Sequence, residues 1–178
     1  MIKRMMTADH EREARFRRAY EQAYGRVYAY AARRVGVDAA DEVTAEVFLV
    51  AWRRFDVMPR DQLPWLYGVA RNVVARYGAT QTRQERARKA LASERAGSGP
   101  SETGDPALWS AWEQLSASDR EVLALIAWEE LSVHEAAIAI GCSAPVFSVR
   151  LHRARKRLER LLTQRTVTDH VSNPSEAR

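Results

Sequence analysis

Residues 143–162 run SAPVFSVRLHRARKRLERLL, and the spacing of their apolar side chains decides how the carboxyl-terminal half folds. Phe147, Leu151, Ala154, Leu158 and Leu161 recur at steps of four, three, four and three, the period of one face of an α-helix. Arg150, Arg153, Arg155, Lys156, Arg157 and Arg160 fall off that line, toward solvent or toward a polyanion. Alone, such a helix reads as a solvated basic face; the segment before it shifts the balance. Ser132, Val133, His134 and Glu135 have the form of a capping box, in which a serine oxygen takes a free helix N–H and a glutamate three residues on reaches back to the cap. The box predicts a helix from about Val133 through Ala136, Ala137, Ile138 and Ile140, stopped at Gly141, which accepts the left-handed conformation of helix ends. Ser143 is expected to cap the basic helix, and Pro145 is tolerated in its first turn, where N–H groups lack intrahelical partners. Short helix, Gly-Cys-Ser turn and longer basic helix make a helix-turn-helix, whose second helix is the one that enters a major groove.

Upstream, Ser118, Asp119, Arg120 and Glu121 read as a second capping box, opening a helix that carries Val122, Leu123, Leu125 and Ile126. Asp105 and Pro106 pair a cap with a first-turn proline for one more helix, with Leu108, Trp109, Trp112 and Leu115. Four helices over residues 105–165 form a compact bundle. A bundle with no nucleic-acid role remains the alternative at this point.

The amino-terminal half repeats the helical period. Over residues 10–35, Phe16, Tyr20, Tyr24, Val27 and Ala31 share a stripe that leaves Arg12, Arg15, Arg18, Arg33 and Arg34 largely outside it. Gly36 ends this helix and Asp38 is a natural N-cap for the next, residues 39–55, with Asp41 and Glu42 at its positive end. The band Val43, Val47, Phe48, Ala51, Trp52 and Phe55 is wider than one neighbour needs, which leaves part of it for another protein. After a break over residues 56–63, residues 64–76 read as a third helix with Trp65, Leu66, Val69 and Val73 inward and Tyr67, Arg71, Asn72 and Arg76 on the other side. Ring, guanidinium and amide on one face suit an opened nucleic acid, where rings stack on bases and amides read their edges. Core aromatics and solvated arginines explain the same residues equally well. Residues 95–105, rich in glycine, serine and proline, have no apolar side chain larger than alanine and read as a flexible tether; residues 166–178 read as a frayed polar tail.

With 178 residues and a formal net charge of +5, the chain has room for two small domains and leans toward polyanionic partners. Cys142 is the single cysteine, which excludes an internal disulfide and a cysteine-rich zinc site; His10, His134, His152 and His170 lack ligand spacing. Neither a metal nor a cofactor is expected. The amino terminus has no signal-peptide core and no stretch approaches membrane-spanning length, so the chain reads as cytoplasmic with no membrane insertion. Nucleotide-binding glycine fingerprints, nucleophile elbows and metalloprotease helices are missing, and the chain reads as a protein that is not an enzyme.

Three stretches in this order resemble the sigma-70 superfamily of bacterial transcription initiation factors, in its short extracytoplasmic-function type. Residues 41–52, DEVTAEVFLVAW, are similar to the helix with which that family grips core RNA polymerase. Residues 65–72, WLYGVARN, are similar to its −10 recognition helix, and residues 131–158 to its −35 helix-turn-helix. The resemblance implies an all-α fold of two small helical domains joined by a flexible linker, the carboxyl-terminal one containing the helix-turn-helix. On this template residues 9–92 are a region 2-like domain, 93–105 the linker, 106–165 a region 4-like domain and 166–178 a disordered tail. It implies bacterial core RNA polymerase as partner of Asp41, Glu42, Glu46, Phe48 and Trp52, and melted −10 DNA as partner of Tyr67, Arg71, Asn72 and Arg76, with residues 56–63 completing a pocket for an extruded base. Duplex −35 DNA would be read by Ser148, Arg150, His152, Arg153, Arg155 and Arg157, arginines positioning on phosphate and a few side chains reaching base edges. An anti-sigma factor that masks the polymerase-binding surfaces, and association with the nucleoid when in holoenzyme, are implied as well.

The chain departs from the family pattern at three places. Ala45 stands where glutamine is common, Gly68 where a basic residue occurs, and Val146, Phe147, Ser148 and Val149 replace a Thr-Val-Lys-Ser-like run. The last change strips hydroxyls and a positive charge from the start of the basic helix. Two other readings stand beside this one: a conventional dimeric helix-turn-helix regulator, whose first half dimerises or senses, and an adaptor whose basic helix meets an acidic protein.

Overall fold

The computed structural model describes residues 2–89 and 105–171, with side chains described over 10–81 and 105–164. Among the described residues there is no strand; seven α-helices and one 3-10 turn carry the fold. The chain divides into two compact units, Met1–Pro100 and Ser101–Arg178. Most of the stretch expected as a tether, and residues 172–178 of the expected tail, lie outside the described residues. None of the described helices is long and apolar enough to cross a membrane.

In the first unit α1 (Ile2–Val35), α2 (Val37–Arg53) and α3 (Gln62–Lys89) pack against one another in all three pairings. The buried line on α1 is Ala19, Ala23, Val27, Tyr30 and Ala31. That line is rotated from the aromatic stripe expected over residues 10–35, because alanines occupy the closest approach while Tyr20 and Tyr24 fold over its rim onto Phe48, at 4.6 and 6.2 Å between ring centres. One residue, Gly36 at φ 83°, links α1 to α2, a conformation that costs glycine nothing. Asp38 therefore does not cap α2 as expected; it is the second residue of the helix, in the first turn, where its charge still faces the positive end.

The wide apolar band of α2 is used internally. Val43, Val47, Phe48 and Ala51 are buried between α1 and α3, and Phe55 closes the layer from the 3-10 turn Phe55–Val57. Arg12 fastens that turn to α1: its guanidinium pairs with Asp56 at 3.2 Å, donates to the Trp52 carbonyl at 2.9 Å and lies 4.2 Å over the Trp52 ring. Pro64 sits in the first turn of α3, which runs to Lys89 rather than stopping near Arg76.

The second unit holds α4 (Pro106–Gln114), α5 (Ala117–Ala127), α6 (Val133–Ile140) and α7 (Ala144–Val171), and α4, α5 and α6 all pack on α7. Asp105 caps α4 as expected, its carboxylate accepting from the Ala107 N–H at 2.9 Å. The cap of α5 is Ser116 and not Ser118: the Ser116 hydroxyl accepts from the Asp119 N–H at 3.1 Å and donates to the Asp119 carboxylate at 2.8 Å. The helix thus starts two residues earlier than expected, and in this register Asp119 lies inward beside Arg157. Trp109, Trp112 and Trp128 gather around the end of α5, with Trp112 and Trp128 4.7 Å apart. α7 continues through Thr166 to Val171, six residues of the stretch expected to fray.

Candidate nucleic-acid interface

The turn between α6 and α7 is fixed at both ends by local chemistry. Ser132 and Glu135 form the expected capping box, the Ser132 N–H donating to the Glu135 carboxylate at 2.7 Å and the Glu135 N–H to the Ser132 hydroxyl at 3.3 Å. At the other end Gly141 is left-handed, φ 75° and ψ 41°, so that its N–H and that of Cys142 turn back to the carbonyls of Ile138 and Ala137 at 3.0 and 2.9 Å. These bonds set the direction in which α7 departs. Phe147 and Ala154 are fully buried and Leu151 nearly so, holding one side of α7 on the bundle.

What remains outward is the candidate interface. Pro145, Val146, Ser148, Val149, Arg150, His152, Arg153, Arg155 and Lys156 are all exposed along the first turns of α7. Of the six side chains expected to meet duplex DNA, Arg150, His152, Arg153 and Arg155 lie open on this face. Ser148 is exposed, but its hydroxyl donates to the Ala144 carbonyl at 3.0 Å, which spends its proton inside the helix. Arg157 is half-exposed, and its guanidinium pairs with the buried Asp119 and ties α7 to α5. Its place on the basic side of the sequence pattern gave no sign of this, since the acid that holds it lies in another helix.

In the first unit the expected residues separate into surface and core. Asp41 and Glu42 are exposed at the amino end of α2 and Glu46 stands a turn further on. Asp41 accepts a hydrogen bond from the Tyr24 hydroxyl at 3.3 Å; burial, then the Asp41 charge, holds that phenol above its ordinary value of 10.0, so it remains a neutral donor at physiological pH. Phe48, expected to meet polymerase, is only 6% exposed and packs between Tyr20 and Tyr24. Trp52 is half-buried under Arg12 and edge-on to Phe16. Leu49, on the outer side of α2, is 47% exposed and was not singled out in the sequence.

On α3, Arg71, Asn72 and Arg76 are exposed as expected. Tyr67 is not: at 1% exposure its ring lies 5.2 Å from that of Tyr30 inside the core, so it is not a stacking platform for a base. The core-facing arc of α3 is broad enough to take in Leu66, Tyr67, Ala70 and Val73 because two helices cover it. Arg76 bridges to Glu46 of α2 at 2.6 Å, joining a side chain expected at DNA to one expected at polymerase. Beside that bridge an open depression of about 500 Å³ is lined by Glu42, Glu46, Arg76, Tyr77, Thr80 and Gln81. Among the described residues no group of three His, Cys, Asp or Glu side chains is placed to hold a metal ion.

The described residues are all-helical in fold and the second unit presents a basic helix-turn-helix, the form of a helical DNA-binding protein; comparison with known proteins narrows the class. Residues 106–158 match the family described as Sigma-70, region 4. The RNA polymerase sigma factor NccH of Alcaligenes xylosoxydans xylosoxydans is 29% identical over 157 residues, covering 79% of this chain and 83% of NccH. CnrH, solved in complex with the cytosolic domain of CnrY, is similar with a TM-score of 0.59 and 26% identity over 85% of this chain and 90% of that one. The sigma factor RpoE of Bartonella quintana, solved with the anti-sigma factor NepR, shares the fold at a TM-score of 0.62 and 24% identity over 83% of this chain and 96% of that one. Residues 106–158 thus match a sigma-70 region 4 domain, and over most of its length the chain is similar to sigma factors of the extracytoplasmic-function type. Proteins of this family are regulators of transcription initiation and not enzymes.

Proposed function

We propose that the chain is a dissociable initiation factor: its first unit docks on bacterial core RNA polymerase and captures melted −10 DNA, while its second reads duplex −35 DNA. The carrying observation is the outward face of α7, where Arg150, His152, Arg153 and Arg155 stand exposed directly after a turn fixed by Ser132, Glu135 and Gly141. Arginines there position the helix on phosphate, and the residues of its first turns reach base edges. Asp41, Glu42, Glu46 and Trp52 are the polymerase-facing set, with Phe48 supporting them from within; Arg71, Asn72 and Arg76 face the −10 strand. Residues 9–92 and 106–165 act as the two functional domains, and residues 93–105 as the link that makes two weak sites one strong one through effective concentration.

Strand opening on this reading needs no bond chemistry; binding of unstacked bases offsets a melting cost of about a few kcal/mol per step. An anti-sigma partner that covers the polymerase-facing side of the first unit is part of the proposal, supported by the anti-sigma factor bound to the similar sigma factor RpoE. So is residence in the cytoplasm and on the nucleoid. Run-off transcription with purified core polymerase on a library of upstream fragments tests the whole: discrete transcripts are expected only when the chain is added, and an unchanged pattern of products sinks the proposal.

A further inference from the structure

We infer that α7 reads its −35 element through the C5-methyl groups of thymine, contacted by Val146 and Val149. This rests on the reading of α7 as the −35 helix and adds what that helix recognises. Val149 is 50% exposed and Val146 44%. At 3.6 residues per turn Val149 stands almost opposite the buried Phe147, Leu151 and Ala154, at the centre of the outward face, with Pro145 a turn before it and Arg153 a turn after. Single exposed valines are ordinary on a protein surface. Here two of them, next to a proline, lie on the outward face of a basic helix, flanked by Arg150, His152, Arg153 and Arg155.

That charge commits the face to a polyanion, and the position of the valines commits them to its bases. In a helix-turn-helix the amino-terminal residues of the second helix approach base edges, while residues further along meet the backbone. Pro145, Val146 and Val149 offer no hydrogen bond, and the Ser148 hydroxyl gives its proton to the Ala144 carbonyl at 3.0 Å. Among residues 144–150, bidentate readout of guanine or adenine is thus left to Arg150. An alkyl side chain in the major groove has one distinctive feature to recognise, the thymine methyl. The arginines hold the helix on either strand, and the two valines select A·T pairs whose methyl groups lie under the first two turns.

The test uses the full chain with core polymerase and duplexes selected from a pool randomised across the −35 segment. Selected duplexes should carry thymine under the helix start, and replacing those thymines by deoxyuridine should weaken binding about fourfold per contacted methyl. V149Q and V146Q, both at exposed positions and checked for an unchanged urea midpoint, should each lose the uracil penalty at one position. A selected duplex bound equally well with uracil, or a penalty undiminished in both variants, overturns the inference while leaving run-off transcription intact. Selection that enriches no duplex overturns it together with the −35 role of α7.

Discussion

Arg153 and Arg157 lie one turn apart on the same basic helix, and their surroundings give them opposite tasks. Arg153 is exposed, so Arg153→Ala should leave the urea midpoint unchanged, weaken duplex binding across all sequences and lower the salt slope of binding by about one ion. Arg157 instead neutralises Asp119, whose side chain is only 11% exposed. Arg157→Ala strands that carboxylate and should cost about 1–2 kcal/mol in urea unfolding, with the salt slope unaltered. If both variants behaved alike, the division between the two arginines would be wrong. Thr44 gives a test of opposite sign: its hydroxyl is fully buried with no hydrogen-bond partner among the described residues, so Thr44→Val should raise stability by about 1 kcal/mol. A lower unfolding midpoint for that variant would mean the hydroxyl finds a partner.

At the scale of elements, the turn between α6 and α7 is held by backbone conformation and not by packing. A side chain at Gly141 meets open space, but its φ of 75° strains any residue with a Cβ. Gly141→Ala should cost about 1 kcal/mol, and Gly141→Asn, which tolerates the left-handed region, less. Equal losses measured by thermal unfolding would show that crowding and not φ is the constraint. The same turn was legible in advance because its signals, Ser132, Glu135 and Gly141, are local. The cap of α5 was expected at Ser118 and lies at Ser116, in the register that sets Asp119 beside Arg157 of α7, a partner from another helix. On α2 and α3 the periodicity marked the apolar faces but not how many neighbours each would have, so Phe48 and Tyr67 were expected at surfaces and lie in the core.

At the scale of the whole molecule, the proposed function gives the two units separate parts of one task, so a change in one should leave the other's binding intact. Asn72 is exposed on α3 while Tyr67 lies in the core, and on the proposed reading Asn72 is the side chain that meets a melted strand. Asn72→Ala should impair open-complex formation, read by permanganate reactivity of unpaired thymines, while co-migration with core polymerase on a sizing column stays unchanged; parallel loss of both would contradict the assignment.

The chain by itself determined its helical class, the order of its helices and the helix-turn-helix, because caps, left-handed glycines and a 3.6-residue period act over a turn or two of backbone. Tertiary structure alone decided which members of each promising cluster remain available to a partner. Arg157 is engaged by an acid on another helix, Phe48 and Tyr67 are enclosed by rings from α1, and Arg153, Asn72 and Val149 are left at the surface. Availability depends on neighbours distant in sequence, and a periodic pattern along one helix holds no record of them.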